Sequence, residues 1–273
     1  MNAPSVKSGE PIRIALLGAT GRMGREIVAA IRQAPDLRLV AALARADDES
    51  LGRDAGEIAG GAALGVALSG DLNAASEKAD VWIDFSASEA FAAGLAAAHR
   101  AGRAFLSGTT GLGREHQGSL DAAARDIPVL HAANMSFGMA VLDRLVAEAA
   151  KLLGEEFDAG IFEMHHRGKK DAPSGSALAL GATIAATRGR KPGAEFVRRD
   201  ENVREPGGIG FASLRGGDVV GDHTVIFAGE GERLELGLYV SERAVFARGA
   251  LRAAAWLAHR PPGLYRMNDV IGL

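Results

Sequence analysis

The chain of 273 residues contains no cysteine. This absence excludes disulfides, thiolate metal sites and cysteine nucleophiles, and it is consistent with a reducing compartment. Long hydrophobic runs are also missing, because Arg22, Asp84 or Glu89 interrupts each apolar window well short of a membrane span. The first residues, MNAPSVKSGEP, lack the apolar core of a signal peptide. We therefore expect a cytoplasmic protein without a membrane segment.

The sequence has little net charge, no convincing repeat and no low-complexity tract. A formal charge of -3 gives no reason to expect nucleic acid as a partner, since that would require a clustered basic face. The 36 glycines are scattered at turn positions, which indicates many tight loops. A hydrophobic content of 47% and this length predict a globular protein of two domains.

Short apolar runs alternate with helical segments in the first half of the chain. This alternation predicts βαβ units and a parallel sheet, and hence a Rossmann-type nucleotide-binding domain over 1–134. We expect a last helix, over 241–260, to pack back on this domain, which 241–273 would complete. Strands are predicted at 12–18, 37–43, 81–85, 103–108 and 127–132, and helices at 22–33, 87–102 and 112–126.

The pattern changes after Asn134. Between 207 and 240, β-prone runs are separated by glycine-containing turns, which predicts hairpins. We therefore expect a second, α+β domain over 135–240, with a mixed, largely antiparallel sheet. It would also contain helices over 138–154 and 176–189 and a strand over 157–166. The first of these helices carries one apolar stripe of Val141, Leu142, Leu145, Val146, Ala149, Leu152 and Leu153.

A glycine-rich loop, GATGRMG, lies between the first predicted strand and its helix. Gly18, Gly21 and Gly24 form a variant of the dinucleotide fingerprint, in which glycines permit a tight turn and a close approach to a pyrophosphate at the helix start. Arg22 is placed to reach a phosphate or is a solvated first-turn residue. The strand, loop and helix order favours cofactor binding over a simple turn.

The end of the second predicted strand should contact the adenine ribose. An acidic residue is common there, but this strand ends in Ala44 and Arg45. An arginine suits the 2′-phosphate of NADPH, whereas Asp47 and Asp48 lie further along and remain candidates for a ribose hydroxyl. We therefore expect NADPH to be used at least as well as NADH, unless Arg45 is only an exposed loop residue.

Two further loops, SGTTG (107–111) and AANMS (132–136), follow the fourth and fifth predicted strands. Ligands of open parallel sheets bind beyond the carboxyl ends of the strands. Both loops are therefore expected to line the same crevice as the glycine-rich loop, and their small residues suit a nicotinamide ring. Taken singly, each loop is compatible with a simple turn.

The stretch EMHHRGKKDAPSGS (163–176) concentrates titratable groups before a helix start. Neighbouring side chains of a strand point to opposite faces, so His165 and His166 are not expected to bind one metal ion. Cationic side chains beside a helix N-terminus instead predict a carboxylate site with a proton donor, or else a solvated charged loop. The remaining histidines are expected to be structural or surface residues: His99, His116, His131, His223 and His259.

Taken together, these segments resemble the dihydrodipicolinate reductase family of bacterial lysine and diaminopimelate biosynthesis, whose members are 4-hydroxy-tetrahydrodipicolinate reductases. The similarity runs in order from about Ile12 to the C-terminus. The pattern E-x-H-H-x-x-K-x-D-A-P-S-G-[ST]-A, beginning at Glu163, is its most specific part. LLGATGRMGREI, DFSASEA, SGTTGL, AANMSFG, GFASLRGGDVVGDHTVIF and GLYRMNDVIGL carry the rest.

The resemblance implies a homotetrameric oxidoreductase that reduces a small cyclic dicarboxylate with NADPH or NADH. It implies that His165 and Lys169 supply protons, and that His166, Gly175 and Ser176 hold the substrate carboxylates. Around the cofactor it implies Gly18, Ala19, Thr20, Gly21, Arg22, Met23, Arg45, Gly108, Thr109, Thr110, Ala132, Ala133, Asn134 and Met135.

Four positions depart from the family pattern. Ser176 replaces a threonine and keeps the hydroxyl group, and Ala44 stands where some members have a ribose-binding glutamate. Met135 replaces a frequent phenylalanine, and Ala140 a common asparagine. Two other functions remain compatible with the glycine-rich loop: another two-domain NAD(P) dehydrogenase, and a non-catalytic NADPH-sensing protein.

Overall fold

The computed structural model describes residues 9–190, 196–197 and 208–272, with only the backbone described at 196–197. These residues divide into two compact units. The first contains the described chain up to Ser136 together with Arg243–Gly272, and the second contains Phe137–Glu242. None of the described helices is long and apolar enough to cross a membrane.

The first unit is built on a seven-stranded sheet in which every pairing is parallel. Its strands are β1 (Ile12–Leu17), β2 (Leu37–Leu43), β3 (Leu68–Ser69), β4 (Val81–Asp84), β5 (Ala104–Ser107), β6 (Pro128–His131) and β12 (Gly263–Tyr265). They lie in the order β12-β6-β5-β4-β1-β2-β3. The five predicted strands and the parallel sheet are confirmed, while β3 and β12 are too short to leave a pattern in the sequence.

The order of the strands reverses at β1. The chain moves from β1 to β2 on one side and returns to β4 on the other, which makes the carboxyl ends of β1 and β4 the topological switch point. Helices cover this sheet: α1 (Arg22–Ile31), α2 (Ala55–Ile58), α3 (Leu72–Lys78), α4 (Ser88–Arg100), α5 (Arg114–Ala123), α8 (Ala244–Leu257) and α9 (Met267–Val270). Helix α8 packs against α1, β4 and β5.

The core of the first unit explains why its central strands are mostly apolar. All four residues of β5 are buried, and Phe105 meets Phe91 of α4 edge to face at 5.8 Å between ring centroids. Trp82 of β4 belongs to the same cluster and is completely buried. Strands buried on both faces favour continuous apolar runs over an alternating pattern.

The second unit contains a mixed sheet with helices on one face. Its elements are α6 (Phe137–Leu153), β7 (Asp158–His165), α7 (Gly175–Thr187), β8 (Phe196–Val197), β9 (Ile209–Arg215), β10 (Gly221–Gly229) and β11 (Glu232–Val240). The described strands lie in the order β11-β10-β7-β9-β8. Strand β10 runs antiparallel to β11 and β7, while β9 runs parallel to β7 and β8.

Two details of the second unit correct the sequence-based predictions. Among the described strands only β10 and β11 form a hairpin, because β7 inserts between β9 and β10 and pairs with both. The apolar stripe of α6 is also narrower than predicted. Leu142 and Val146 are buried, but Val141, Leu145 and Leu152 are 44%, 50% and 80% exposed. Only one face of a helix can pack against a sheet, so part of a wide apolar stripe stays in contact with solvent.

Candidate active site

The glycine-rich loop lies at the switch point of the first sheet. Gly18 follows β1 with a φ of +83°, and a Cβ there would lie 2.5 Å from the carbonyl oxygen of Phe85, the residue after β4. A Cβ on Gly24 would lie 2.2 Å from the carbonyl oxygen of Gly18. Glycine at these positions keeps the turn tight against the first turn of α1, as a bound pyrophosphate requires. The loop therefore fits a dinucleotide.

The loop after β2 is tied to the glycine-rich loop. The hydroxyl group of Thr20 donates to Asp48 Oδ2 at 2.9 Å, and Asp48 Oδ1 accepts from the backbone N–H of Ser50. These bonds lower the pKa of the Asp48 carboxyl, first through Ser50 and then through Thr20. Arg45 and Asp47 are both exposed, with 3.5 Å between Arg45 Nε and Asp47 Oδ1.

The loops after β4 and β5 are held by a buried carboxylate. Asp84, at the end of β4, is completely buried and accepts from Ser107 Oγ at 2.7 Å, from Thr109 Oγ1 at 2.8 Å and from the N–H and hydroxyl of Ser86. His131 Nε2 lies 3.1 Å from the carbonyl oxygen of Thr109. Asp84 and His131 thus fix the backbone of SGTTG at the carboxyl edge of the sheet, a role that the sequence did not show.

The predicted cofactor residues of the first unit differ in how they are presented. Gly21, Arg22, Thr110 and Ala133 are exposed, whereas the side chains of Ala19, Thr109 and Met135 are buried. The buried residues can meet a ligand only through their backbone. The carbonyl oxygen of Met135 lies against Gly249 of α8, where a Cβ would be 1.8 Å away. This contact explains a glycine within α8.

The predicted catalytic histidine of the second unit sits in a buried cluster of charges. His165 ends β7 and is 8% exposed, with its Nδ1 2.5 Å from Oε2 of the completely buried Glu163. Arg215 of β9 donates to both carboxylate oxygens of Glu163, at 2.9 and 2.8 Å. Burial lowers the pKa of His165 most; Glu163 opposes this, while Lys169 and Arg215 add to it. The imidazole is therefore neutral near pH 7.

The predicted second proton donor lies in the loop after β7. Lys169 Nζ forms an ion pair with Asp171 at 2.9 Å, and the carbonyl oxygen of Asp171 accepts from Arg215 NH2. Arg215 therefore connects the buried carboxylate to the loop that contains Lys169. Arg167 and Lys170 are exposed, and His166, just after β7, is half-buried. In the described part of the chain, no His, Asp and Glu side chains form a metal-binding group of three.

The start of α7 is joined to the same cluster through His223. Ser174 caps α7 by accepting from the N–H of Ala177 at 3.1 Å, and its hydroxyl lies 3.1 Å from His223 Nε2. The ring of His223 meets that of His165 edge to face at 5.2 Å between centroids. His223 was expected to be a structural or surface residue. It is buried, and the pairing of β10 with β7 sets it opposite Glu163 within this cluster, which the sequence did not show.

The lowered pKa of His223 predicts that the free energy of unfolding depends on pH in the acidic range. Burial, and then the charge of His165, lower this pKa to about 4, whereas an unfolded histidine titrates near 6.5. Between these values only the unfolded chain binds the proton, so the free energy of unfolding falls as the pH drops. Between pH 7 and pH 5 we expect the free energy of unfolding of the wild type to fall by about 2 kcal/mol more than that of His223→Gln, as measured by urea denaturation. Equal losses would contradict this assignment.

The first unit has a parallel sheet with a glycine-rich loop at its switch point, and the second unit contains a buried cluster of acidic and basic groups. Together these features define a two-domain pyridine-nucleotide oxidoreductase. Family models support and refine this class. Residues 12–135 match dihydrodipicolinate reductase, N-terminus, and residues 138–271 match dihydrodipicolinate reductase, C-terminus. The chain belongs to the dihydrodipicolinate reductase family.

Individual relatives agree with this assignment. A 4-hydroxy-tetrahydrodipicolinate reductase of Halorhodospira halophila is 46% identical over 95% of this chain and 98% of its own length. One from Alkalilimnicola ehrlichii is 48% identical over 96% of this chain and 99% of its own. The solved structure of a dipicolinate-bound dihydrodipicolinate reductase from Paenisporosarcina shares the fold, with a TM-score of 0.74 at 24% identity, covering 94% of this chain and 97% of that one.

Proposed function

We propose that this protein reduces 4-hydroxy-tetrahydrodipicolinate to tetrahydrodipicolinate with a reduced pyridine nucleotide, in the biosynthesis of diaminopimelate and lysine. The observation that carries the proposal is the cluster around His165, which places a titratable imidazole between the loop of Lys169 and the capped start of α7. This arrangement occurs within the most family-specific stretch of the sequence. It supplies both a proton donor and donors for carboxylates.

The reaction consumes one substrate, one reduced nucleotide and one proton, and it yields tetrahydrodipicolinate, the oxidised nucleotide and water. The bound nucleotide supplies the hydride, and we assign its binding to the loops of the first unit. The 4-hydroxyl group would leave as water together with a ring proton, and the hydride would add to the conjugated ring that remains. His165 or Lys169 would protonate the enamine carbon on which negative charge builds.

The charge of the substrate would favour the protonated form of His165. The pKa of His165 is lowered in the free protein, so most molecules contain a neutral imidazole at neutral pH. A dianion held by His166, Gly175 and Ser176 would raise this pKa, because a nearby negative charge favours the protonated form. The substrate would thereby charge its own proton donor.

A coupled assay tests the proposed activity. A synthase generates the unstable substrate in place, and the decrease in absorbance of NADPH reports turnover. We expect NADPH to be oxidised in proportion to the substrate generated. Tight NADPH binding without turnover would instead favour a non-catalytic sensing protein, and turnover with amino acids or semialdehydes alone would favour another dehydrogenase.

Planar dicarboxylates provide a second test of the substrate site. Pyridine-2,6-dicarboxylate resembles the product ring and carries the same two carboxylates, so we expect it to inhibit competitively against the substrate. The measurement is the change in apparent KM at several inhibitor concentrations with NADPH saturating. Inhibition that does not change the apparent KM, or no inhibition at millimolar concentration, would contradict the carboxylate site.

We also propose that NADPH is preferred over NADH through Arg45. Its exposed pair with Asp47 contributes little energy, so the guanidinium group can turn to a 2′-phosphate. Arg45→Ala is expected to lower kcat/KM for NADPH about tenfold and to leave the value for NADH within twofold. The matched control is Arg38→Ala, at an exposed position of β2. An unchanged NADPH to NADH ratio in Arg45→Ala would contradict this role.

The homotetramer implied by the resemblance is a further proposal. Helices α6 and α7 pack on one face of the second sheet, while Leu214 and Tyr239, on its other face, are 51% and 70% exposed. Exposed apolar surface of this kind is typical of an interface. Light scattering should give four times the chain mass of 28.2 kDa, and a monomer would contradict the proposal. Cell fractionation tests the expected cytoplasmic location.

A further inference from the structure

Glu163 is a completely buried carboxylate to which the proposed mechanism assigns no role. It lies two residues before His165 on β7, so the two side chains share one face of the sheet. The neighbouring strands bring Arg215 and His223 to the same place, since β9 pairs Arg215 with His165 and β10 pairs His223 with Glu163. The cluster is therefore built by three strands of the sheet.

The contacts of Glu163 keep its carboxyl ionised. Burial alone would raise the pKa of Glu163, but hydrogen bonds from Arg215, Ser213 and His165 outweigh burial and lower it. Arg215 binds both oxygens in a bidentate arrangement, the strongest geometry for an arginine and a carboxylate. Since an ionised carboxylate only accepts hydrogen bonds, the 2.5 Å contact requires a proton on His165 Nδ1.

Among the described residues, a glycine lies beside the other ring nitrogen of His165. Gly221 begins β10 beside it, and a Cβ on Gly221 would lie 3.0 Å from His165 Nε2. The ring cannot turn over without losing its bond to Glu163. With Nδ1 committed to the carboxylate, Nε2 is the atom available to exchange a proton with a ligand.

We propose that Glu163, held by Arg215, is the positioning residue of this site, which fixes the ring and tautomer of His165 and presents Nε2 to the substrate. The proposal rests on the function proposed above. Among the described residues, the charged and titratable groups that face His165 are Glu163 of β7, Arg215 of β9 and His223 of β10, with Lys169 from the loop after β7. Glu163 is the member whose charge favours a protonated His165.

Glu163→Gln separates positioning from a purely structural ion pair. Removing the negative charge withdraws the group that raises the pKa of His165, so the basic limb of the kcat profile should move to lower pH. We expect kcat to fall about 100-fold and the Kd for NADPH to stay within twofold. Glu155→Gln is the matched control, because it removes an exposed carboxylate that also pairs with an arginine, Arg190.

The tautomer of His165 can be measured without any substrate. Long-range 1H–15N spectra of the full protein distinguish a proton on Nδ1 from one on Nε2, and His165→Gln assigns the signal. We expect neutral His165 in the wild type to carry its proton on Nδ1. This measurement decides the inference even if Glu163→Gln fails to fold or the wild type proves inactive in the coupled assay, an outcome that would count only against the proposed function.

Each of the two experiments has one result that supports the proposal and one that overturns it. A proton on Nδ1 together with a shifted kcat profile in Glu163→Gln, and an unchanged profile in Glu155→Gln, supports the proposal. A proton on Nε2 in the wild type overturns it. A Glu163→Gln protein that loses thermal stability but keeps the pH limb of its kcat profile also overturns it, because that result assigns Glu163 to the stability of the sheet alone.

Discussion

Replacing His165 with glutamine is expected to lower kcat by about 10²- to 10⁴-fold, the usual contribution of a general acid. Glutamine fills a similar volume and can still bond to Glu163, but it carries no titratable proton. Binding of NADPH should stay within twofold of the wild type, since the residues assigned to the cofactor belong to the first unit. The measurements are kcat in the coupled assay and the fluorescence titration of NADPH.

The control for this variant is His259→Gln. His259 is exposed just beyond α8 and lies outside the proposed site, so its replacement should leave kcat within twofold. If His165→Gln kept more than about a tenth of the wild-type kcat, proton transfer by His165 would be ruled out as a major contribution. Lys169, which also faces the site, would then be the remaining donor.

Gly24→Ala is expected to weaken NADPH binding at least 100-fold and to lower the melting temperature. The added Cβ would lie 2.2 Å from the carbonyl oxygen of Gly18 and 2.7 Å from Cα and O of Ala19. These are backbone atoms, so the methyl group is accommodated only if the glycine-rich loop moves away from α1. A displaced loop can no longer aim its N–H groups and the helix start at a pyrophosphate.

The control here is Gly118→Ala in α5, where a Cβ would meet nothing within 4 Å. Alanine favours an exposed helix over glycine, so this variant should be as stable as the wild type or slightly more stable. The measurements are the Kd of NADPH by fluorescence and the melting temperature. Wild-type affinity in Gly24→Ala would contradict the assignment of GATGRMG to the cofactor.

The features that could be predicted from the sequence are those that local patterns carry. Buried parallel strands need continuous apolar runs, so β4 and β5 were recognisable, and Gly18 and Gly24 marked a turn that excludes side chains. The alternation of strands and helices then predicted the parallel sheet. For the same reason the capped start of α7 at Ser174 was visible as a helix signal.

The partners of His165 depend on strand register, which the sequence does not reveal. Arg215 lies 52 residues beyond Glu163, and His223 lies further still. Both come next to Glu163 only because β9 and β10 pair with β7. Glycine turns predicted a hairpin between β9 and β10, and that expectation left no place for β7, which carries Glu163 and His165, between them. Only Glu163 had a local signal, because its spacing of two from His165 places both on one face.

The most direct test of the central claim is the transfer of deuterium from NADPH. The enzyme is supplied with synthase-generated 4-hydroxy-tetrahydrodipicolinate and with NADPH that carries deuterium at C4 on one face or the other, and the product is analysed by mass spectrometry. We expect one of the two labelled forms to yield tetrahydrodipicolinate with one deuterium. Oxidation of NADPH that places no deuterium in tetrahydrodipicolinate from either form would contradict hydride transfer to this substrate.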